Sequence, residues 1–367
     1  MSRLLTTVSA ITILAGTYVS ADVPKVIADI APVHSLVSRV MDGVGKPNLI
    51  VPNEASPHDY RLRPADAQAI ENANLVFWMG EGLTPWMERA LEALNNDVEA
   101  VEFLTLEESI LFAFREGALF EAHDDHDDHD KDHDDHDDHD DHDDHDKDHD
   151  DHDDHDKDHD DHDDHDDHDK DHDDHDDHDD HDDHDKDHDD HAGHDHGEFD
   201  PHAWLSTSNA KTWLNVIAAK LSSVDPNNAG TYFANASQAR NELEALDVEI
   251  NAMLDPVRGG KFIVFHDAYQ YFETDYGFPA SGAISLSDAS DPSAARIAKI
   301  ANRIKTENID CVLSEPQFNA GLVKTVMGAT DAKTQVIDPI GFGIEPGSSL
   351  YPKLIRAMAQ SLVDCLK

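Results

Sequence analysis

Apolar and polar positions along this chain change period in a regular way, and the changes predict strands and helices in turn. Val26 to Ile30 form a short apolar run of strand type, after which Val33, Leu36, Val37 and Val40 recur at helical spacing on one face. "NLIVP" reads as a second strand, "RPADAQAIENAN" as a helix, "LVFWMG" as a strand and "TPWMERALEALN" as another helix. Strands alternating with helices indicate βαβ units around a mainly parallel sheet.

The pattern stops at residue 123 and resumes at "FDPHAWLSTSNAKTWLNVIAAKLSSV". Asp225 as N-cap and Pro226 at the first helical position then open a helical pattern that persists to about Leu254. About 29 residues at 1.5 Å each give a rod of roughly 43 Å, long for a globular helix and suited to a strut between two lobes. Alternation restarts with strand "KFIVF", helix "DAYQYFETDY" and strand "GAISL". Helix Ser293 to Glu307, strand "CVLSE", helix Asn319 to Gly328, strand "TQVID" and a terminal helix follow. The expected fold class is α/β, with two lobes, each a mainly parallel sheet flanked by helices, bridged by one long helix. Residues 22–122 with 197–224 form the expected N-terminal lobe, 225–255 the linking helix and 256–367 the C-terminal lobe.

Composition separates residues 123–196 from the rest. They hold 24 His, 43 Asp, 5 Lys, one Ala and one Gly, a charge of −38 out of −53 for the 367 residues. The other −15 is unremarkable, so the extreme acidity is local. With nothing apolar to bury and like charges repelling, this tract is expected to be a disordered loop inserted in the first lobe. The acidic balance also argues against a nucleic-acid partner, whose phosphates call for basic surface.

At the N-terminus Arg3, the apolar stretch Leu4 to Gly16 and the small residues Val19-Ser20-Ala21 have the form of a secretory signal cleaved after Ala21, residues 1–21. About 13 apolar residues are too few to span a bilayer. No Cys follows for lipid attachment, and no later stretch suits a transmembrane segment. An exported protein is expected. Cys311 and Cys365, an even count in such a chain, suggest one disulfide, with two unpaired buried thiols as the alternative. A bridge between them would close a loop of about 55 residues, worth roughly 4 kcal/mol by chain entropy.

Outside the tract the chain has only His34, His58, His202 and His266. His58, in "ASPHDYRLRPAD", follows a strand and precedes a helix, the position at which open α/β sheets bind ligands. Taken alone it reads equally well as a surface loop residue. His202, in "FDPHAWLS", has Pro201 restricting its loop and Trp204 able to shield it. His266 ends the strand "KFIVF" of the other lobe, whereas His34 lies inside a predicted helix, as a packing or capping residue would. Three loop histidines from both lobes fit a cleft site for Zn²⁺, for which neutral imidazole is a natural ligand. Asp338, in "VIDPIG", could supply a fourth ligand or cap a turn.

The motifs "SPHDYRLRPAD", "WMGEGLTPWM", "DPHAWLS", "FHDAYQYF", "SEPQF" and "IDPIG" jointly resemble the zinc-specific periplasmic solute-binding proteins of ABC importers, the ZnuA family. The resemblance covers nearly the whole mature chain, and a His/Asp-rich insertion between the second and third motifs is typical of that family. It implies two α/β lobes bridged by a long helix, Zn²⁺ carried in the cleft between them, and a disulfide in the second lobe that Cys311 and Cys365 match. Carried over residue by residue, the metal ligands are His58, His202 and His266. Manganese-binding relatives usually place a Glu where His266 stands, so an all-nitrogen triad favours Zn²⁺ by ligand softness. Some members have a Glu just before the first ligand. Pro57 stands there in this chain, which leaves the fourth ligand open between Asp338, water or neither.

The implied protein is a periplasmic monomer that hands zinc to an inner-membrane permease. That permease is driven by a separate ATPase, since the chain has no GxxxxGK[ST] phosphate loop. The alternatives are a carrier of manganese or another divalent metal, a metal store built on the tract, and a zinc hydrolase. The hydrolase lacks HExxH and GxSxG, and Glu81 and Glu315, which could serve as bases, belong to structural motifs in the pattern that the resemblance implies, so no enzyme activity is expected. The run from His123 to His196 is expected to give weak, multiple metal binding, with His191, His194 and His196 as its discrete secondary site.

Overall fold

A computed structural model describes residues 23–94, 98–115, 120, 199–285, 292–317, 328, 330 and 332–367. By its contacts the chain divides into two units, residues 1–122 with 194–367, and residues 123–193. The second unit lies outside the described residues, as do the signal segment and, apart from Gly328, the predicted helix from Asn319.

In the first unit β1 (Val26–Ala28), α1 (Ala31–Val40), β2 (Asn48–Leu49), α2 (Pro64–Glu71), β3 (Leu75–Trp78), α3 (Pro85–Leu94) and β4 (Glu99–Glu102) build the first sheet and its helices. Helices α4 (Thr207–Val224) and α5 (Ala229–Leu254) follow. The second sheet and its helices are β5 (Phe262–His266), α6 (Gln270–Tyr276), β6 (Ala283–Ser285), α7 (Ala294–Thr306), β7 (Cys311–Ser314), β8 (Lys333–Val336) and α8 (Leu350–Leu366). Strand order is β2-β1-β3-β4 in one sheet and β6-β5-β7-β8 in the other, every pair parallel. The lobes thus share one topology, in which the first strand lies between the second and the third. That reversal opens a crevice at the strands' carboxyl ends, where α/β sheets bind ligands.

The apolar runs become strands buried on both faces, as helix-covered parallel sheets require. Helix α1 turns Val33, Leu36, Val37 and Val40 inward as their spacing predicts. Helices α4 and α7 start at Ser206 and Ser293, whose hydroxyls accept the backbone N–H of Asn209 and Arg296 at 3.0 and 3.2 Å.

The long helix differs in its ends. Pro226–Asn228 and Asp255–Val257 are 3₁₀ turns on either side of α5. Asp225 makes no side-chain cap; its carboxylate instead accepts the Asn228 amide at 2.7 Å and the Tyr232 hydroxyl at 2.8 Å. Tyr232, Ala236, Ala239, Leu243, Leu246, Ile250 and Leu254 form one buried face along α5. This face belongs to a single apolar cluster running from β1 and α1 through α4, α5 and α8 to β5 and β7, so the lobes share a core. The Cys311–Cys365 disulfide ties β7 to α8. No helix among the described residues is long and apolar enough to cross a membrane.

Candidate metal centre

Parallel pairing of β5 with β7 sets Val264 beside Leu313, which carries His266 and Glu315 to neighbouring positions at the carboxyl ends. His266 is buried, and its Nδ1 lies 2.6 Å from Glu315 Oε1. The other Glu315 oxygen accepts the Gln317 amide at 3.0 Å. His202 is prepared in the same way from the other lobe. Asp200 Oδ1 accepts the His202 backbone N–H at 3.0 Å and lies 2.7 Å from its Nδ1. Asp200 is itself fixed, its N–H donating to Phe112 O at 2.8 Å and its carbonyl accepting the Tyr271 hydroxyl at 2.7 Å.

With the carboxylate ionised it can only accept; the Nδ1 facing it then carries the proton and the Nε2 presents a lone pair. Those two Nε2 atoms face each other at 3.3 Å. Two lone pairs so close repel unless a cation lies between them. Nitrogens bound tetrahedrally to zinc at about 2.0–2.1 Å stand about 3.4 Å apart. A carboxylate behind each imidazole is also the arrangement that orients metal-ligating histidines and raises their basicity.

His58 lies in the loop between β2 and α2, half-buried, with its ring centroid 5.6 Å from that of His202; the His202 and His266 centroids are 5.1 Å apart. Its loop is braced on both sides. Trp86 Nε1 donates to Pro57 O at 3.4 Å, and the Tyr60 hydroxyl and Arg63 guanidinium converge on Asp66 at 2.6 and 2.9 Å. Among the described residues, no three His, Cys, Asp or Glu side chains are gathered as a metal-ligating group. The structure thus joins His202 and His266 and stands His58 beside them.

Trp204 is buried with its ring centroid 5.2 Å from that of His202, and its Nε1 donates to Pro339 O at 2.8 Å, so it walls the site as expected. Asp338 Oδ1 accepts the backbone N–H of Ile340 and Gly341 at 3.1 and 2.9 Å, the contacts of a turn cap. The carbonyls of that turn, Gly341 O and Ile344 O, both accept the Asn53 amide of the first lobe at 2.7 Å. His34 packs in α1 with Nε2 3.1 Å from Pro47 O, and burial holds its pKa below the usual imidazole value.

Asp200 and Glu315 are the residues that sequence reasoning passed over as ligand supports. Each lies in a quoted motif, "FDPH" and "SEPQ", but Glu315 is 49 residues from His266 and only the sheet register pairs them. Burial pushes the Asp200 carboxyl up to about 7, against the pull of the His202 N–H and the positive charge of Arg115. His191, His194, His196 and the run from His123 to His196 lie outside the described residues. The flanks of that run meet at an antiparallel bridge between Ala113 and Phe199.

The family model ZnuA, zinc-uptake complex component A periplasmic, matches residues 26–365. The high-affinity zinc uptake system protein ZnuA of Brucella abortus (strain 2308) is 43% identical over 351 residues, 96% of this chain and 94% of that protein. Its counterpart in Paracoccus denitrificans (strain Pd 1222) is 40% identical over 347 residues, 94% of this chain and 93% of that protein. Among solved structures, the crystal structure of ZnuA matches with a TM-score of 0.63 at 20% identity, over 94% of this chain and 100% of that one, a likeness of fold.

Proposed function

The chain belongs to the family of periplasmic zinc-uptake complex A components, and from that membership we propose how its residues take up and hold their cargo. It is the periplasmic zinc-binding component of a zinc-uptake ABC importer, a transport protein and not an enzyme. In our reading Zn²⁺ binds between His202 and His266, with His58 closing on it as the third ligand. The observation that carries this is the pair of Nε2 atoms 3.3 Å apart, each on a ring whose Nδ1 is bonded to a buried carboxylate.

Preorganised neutral imidazoles explain a preference for zinc over manganese, which favours oxygen ligands. Asp338, with Oδ1 engaged in its turn, fits a structural role better than that of fourth ligand, and water is our choice for that position. Protons compete with the metal for the same lone pairs, so affinity falls as the medium turns acidic. Removal of the signal after Ala21 would leave Asp22 as the mature start, and a membrane permease powered by a separate ATPase would receive the metal.

Chelator-competition titration of the zinc-free protein tests the site. The unaltered chain should hold one tight zinc, and His202→Ala or His266→Ala should lose it at neutral pH. Unchanged tightest-site affinity in either variant would overturn the assignment. Manganese should displace zinc only in large excess.

A further inference from the structure

The spacing of His202 and His266 depends on what holds the two lobes in register at that point. His202 belongs to the segment that leaves the Ala113–Phe199 bridge, and His266 ends β5 of the second lobe. Arg115 reaches from that bridge to the residue next to His266. Its Nε donates to both oxygens of Asp267 at 3.0 and 3.1 Å, and its Nη2 bonds Asp267 as well. Nη1 and Nη2 grip Glu273 of α6 at 2.6 and 3.0 Å. The guanidinium is thus bidentate to two carboxylates at once, a geometry that Arg's planar fork provides and Lys cannot.

The clamp is shielded from water. The Arg115 side chain is 16% exposed, those of Asp267 and Glu273 7% and 5%, and the Phe120 ring covers the guanidinium with its centroid 3.7 Å from Cζ. Tyr271, also on α6, reinforces it, its hydroxyl accepting Phe112 N–H at 3.1 Å and donating to Asp200 O at 2.7 Å. Both flanks of the bridge are thereby docked on α6.

We propose that Arg115 is a positioning residue for zinc retention. By clamping Asp267 and Glu273 it keeps His266 in register with His202 and so sets how slowly bound zinc escapes. The proposal rests on the assignment of His202 and His266 as zinc ligands. It makes a prediction opposite in sign to simple electrostatics. Loss of a cation near a Zn²⁺ site should, by charge alone, strengthen metal binding, whereas loss of a clamp should hasten release.

The test is the rate of zinc loss from the full mature protein into excess EDTA, followed by stopped flow. Zinc stoichiometry and thermal unfolding of the zinc-free form are measured alongside. Arg115→Gln should release zinc at least tenfold faster with stoichiometry and association rate little changed. Arg115→Lys should fall between it and the unaltered protein, and Glu273→Gln should release severalfold faster. Release within twofold of the unaltered rate, or slower, in both Arg115→Lys and Glu273→Gln overturns the proposal, even if Arg115→Gln fails to fold. His266→Ala serves as the reference: if it keeps the tight zinc, the ligand assignment fails, and the clamp falls with it for that separate reason.

Discussion

At the scale of single residues, scarcity made the site legible. Four histidines outside a repetitive run are few enough to weigh one by one, and of the three singled out the structure joins His202 with His266 and stands His58 beside them. The acids behind them were not legible in the same way, because a Glu after a strand has many ordinary roles. Glu315→Gln keeps a group that can accept from His266 Nδ1 but removes the charge that sharpens its basicity. Zinc affinity should fall about 10–100-fold, as for other outer-shell partners of metal ligands. A competition titration with no change would mean that His266 needs only steric support. Asp338→Ala separates cap from ligand. Losing two bonds to backbone N–H groups should cost about 1 kcal/mol of stability in denaturant unfolding. Zinc affinity should stay within a few-fold, and a hundredfold loss would make Asp338 a ligand after all.

At the scale of elements, period and burial agree where a segment has a strong face. β4 had no such signal: in Glu99–Glu102 only Val101 is buried, as suits an edge strand paired on one side. Strand ends hold a further device that no pattern announces. Asp29, one residue past β1, is fully buried, its two oxygens accepting the N–H of Ile30 at 2.7 Å and of Met79 at 2.8 Å. Burial pushes its carboxyl from 3.8 up to about 7, outweighing those bonds. The folded chain therefore keeps this proton where the unfolded chain has released it. The contribution to stability is complete below 3.8 and is lost as pH rises through about 7. Thermal midpoints between pH 4 and 8 should decline less steeply for Asp29→Asn than for the unaltered protein. Part of the slope should survive, since Asp200 shifts the same way; identical slopes would rule Asp29 out as a source.

At the scale of the whole molecule, two lobes of one topology share an unbroken core through α4, α5 and α8. Every group proposed to bind or position zinc lies outside the His/Asp run. Deleting residues 123–196 should leave the tight site at full affinity while lowering the total zinc counted by equilibrium dialysis. Loss of the tight site would place a ligand inside the run.

Sequence by itself determined most of the elements, their division between two parallel sheets and the candidate metal-seeking side chains. These follow from local composition and period, which each segment carries regardless of what it packs against. Tertiary structure alone decided which acids stand behind which histidines, where Asp338 spends its carboxylate, and how Arg115 reaches residues 152 and 158 positions away. Such pairings are set by sheet register and by the docking of one lobe's loops on the other's helix. Neither leaves a periodic trace in the chain, because a contact between distant segments constrains their geometry in space and not their spacing in sequence.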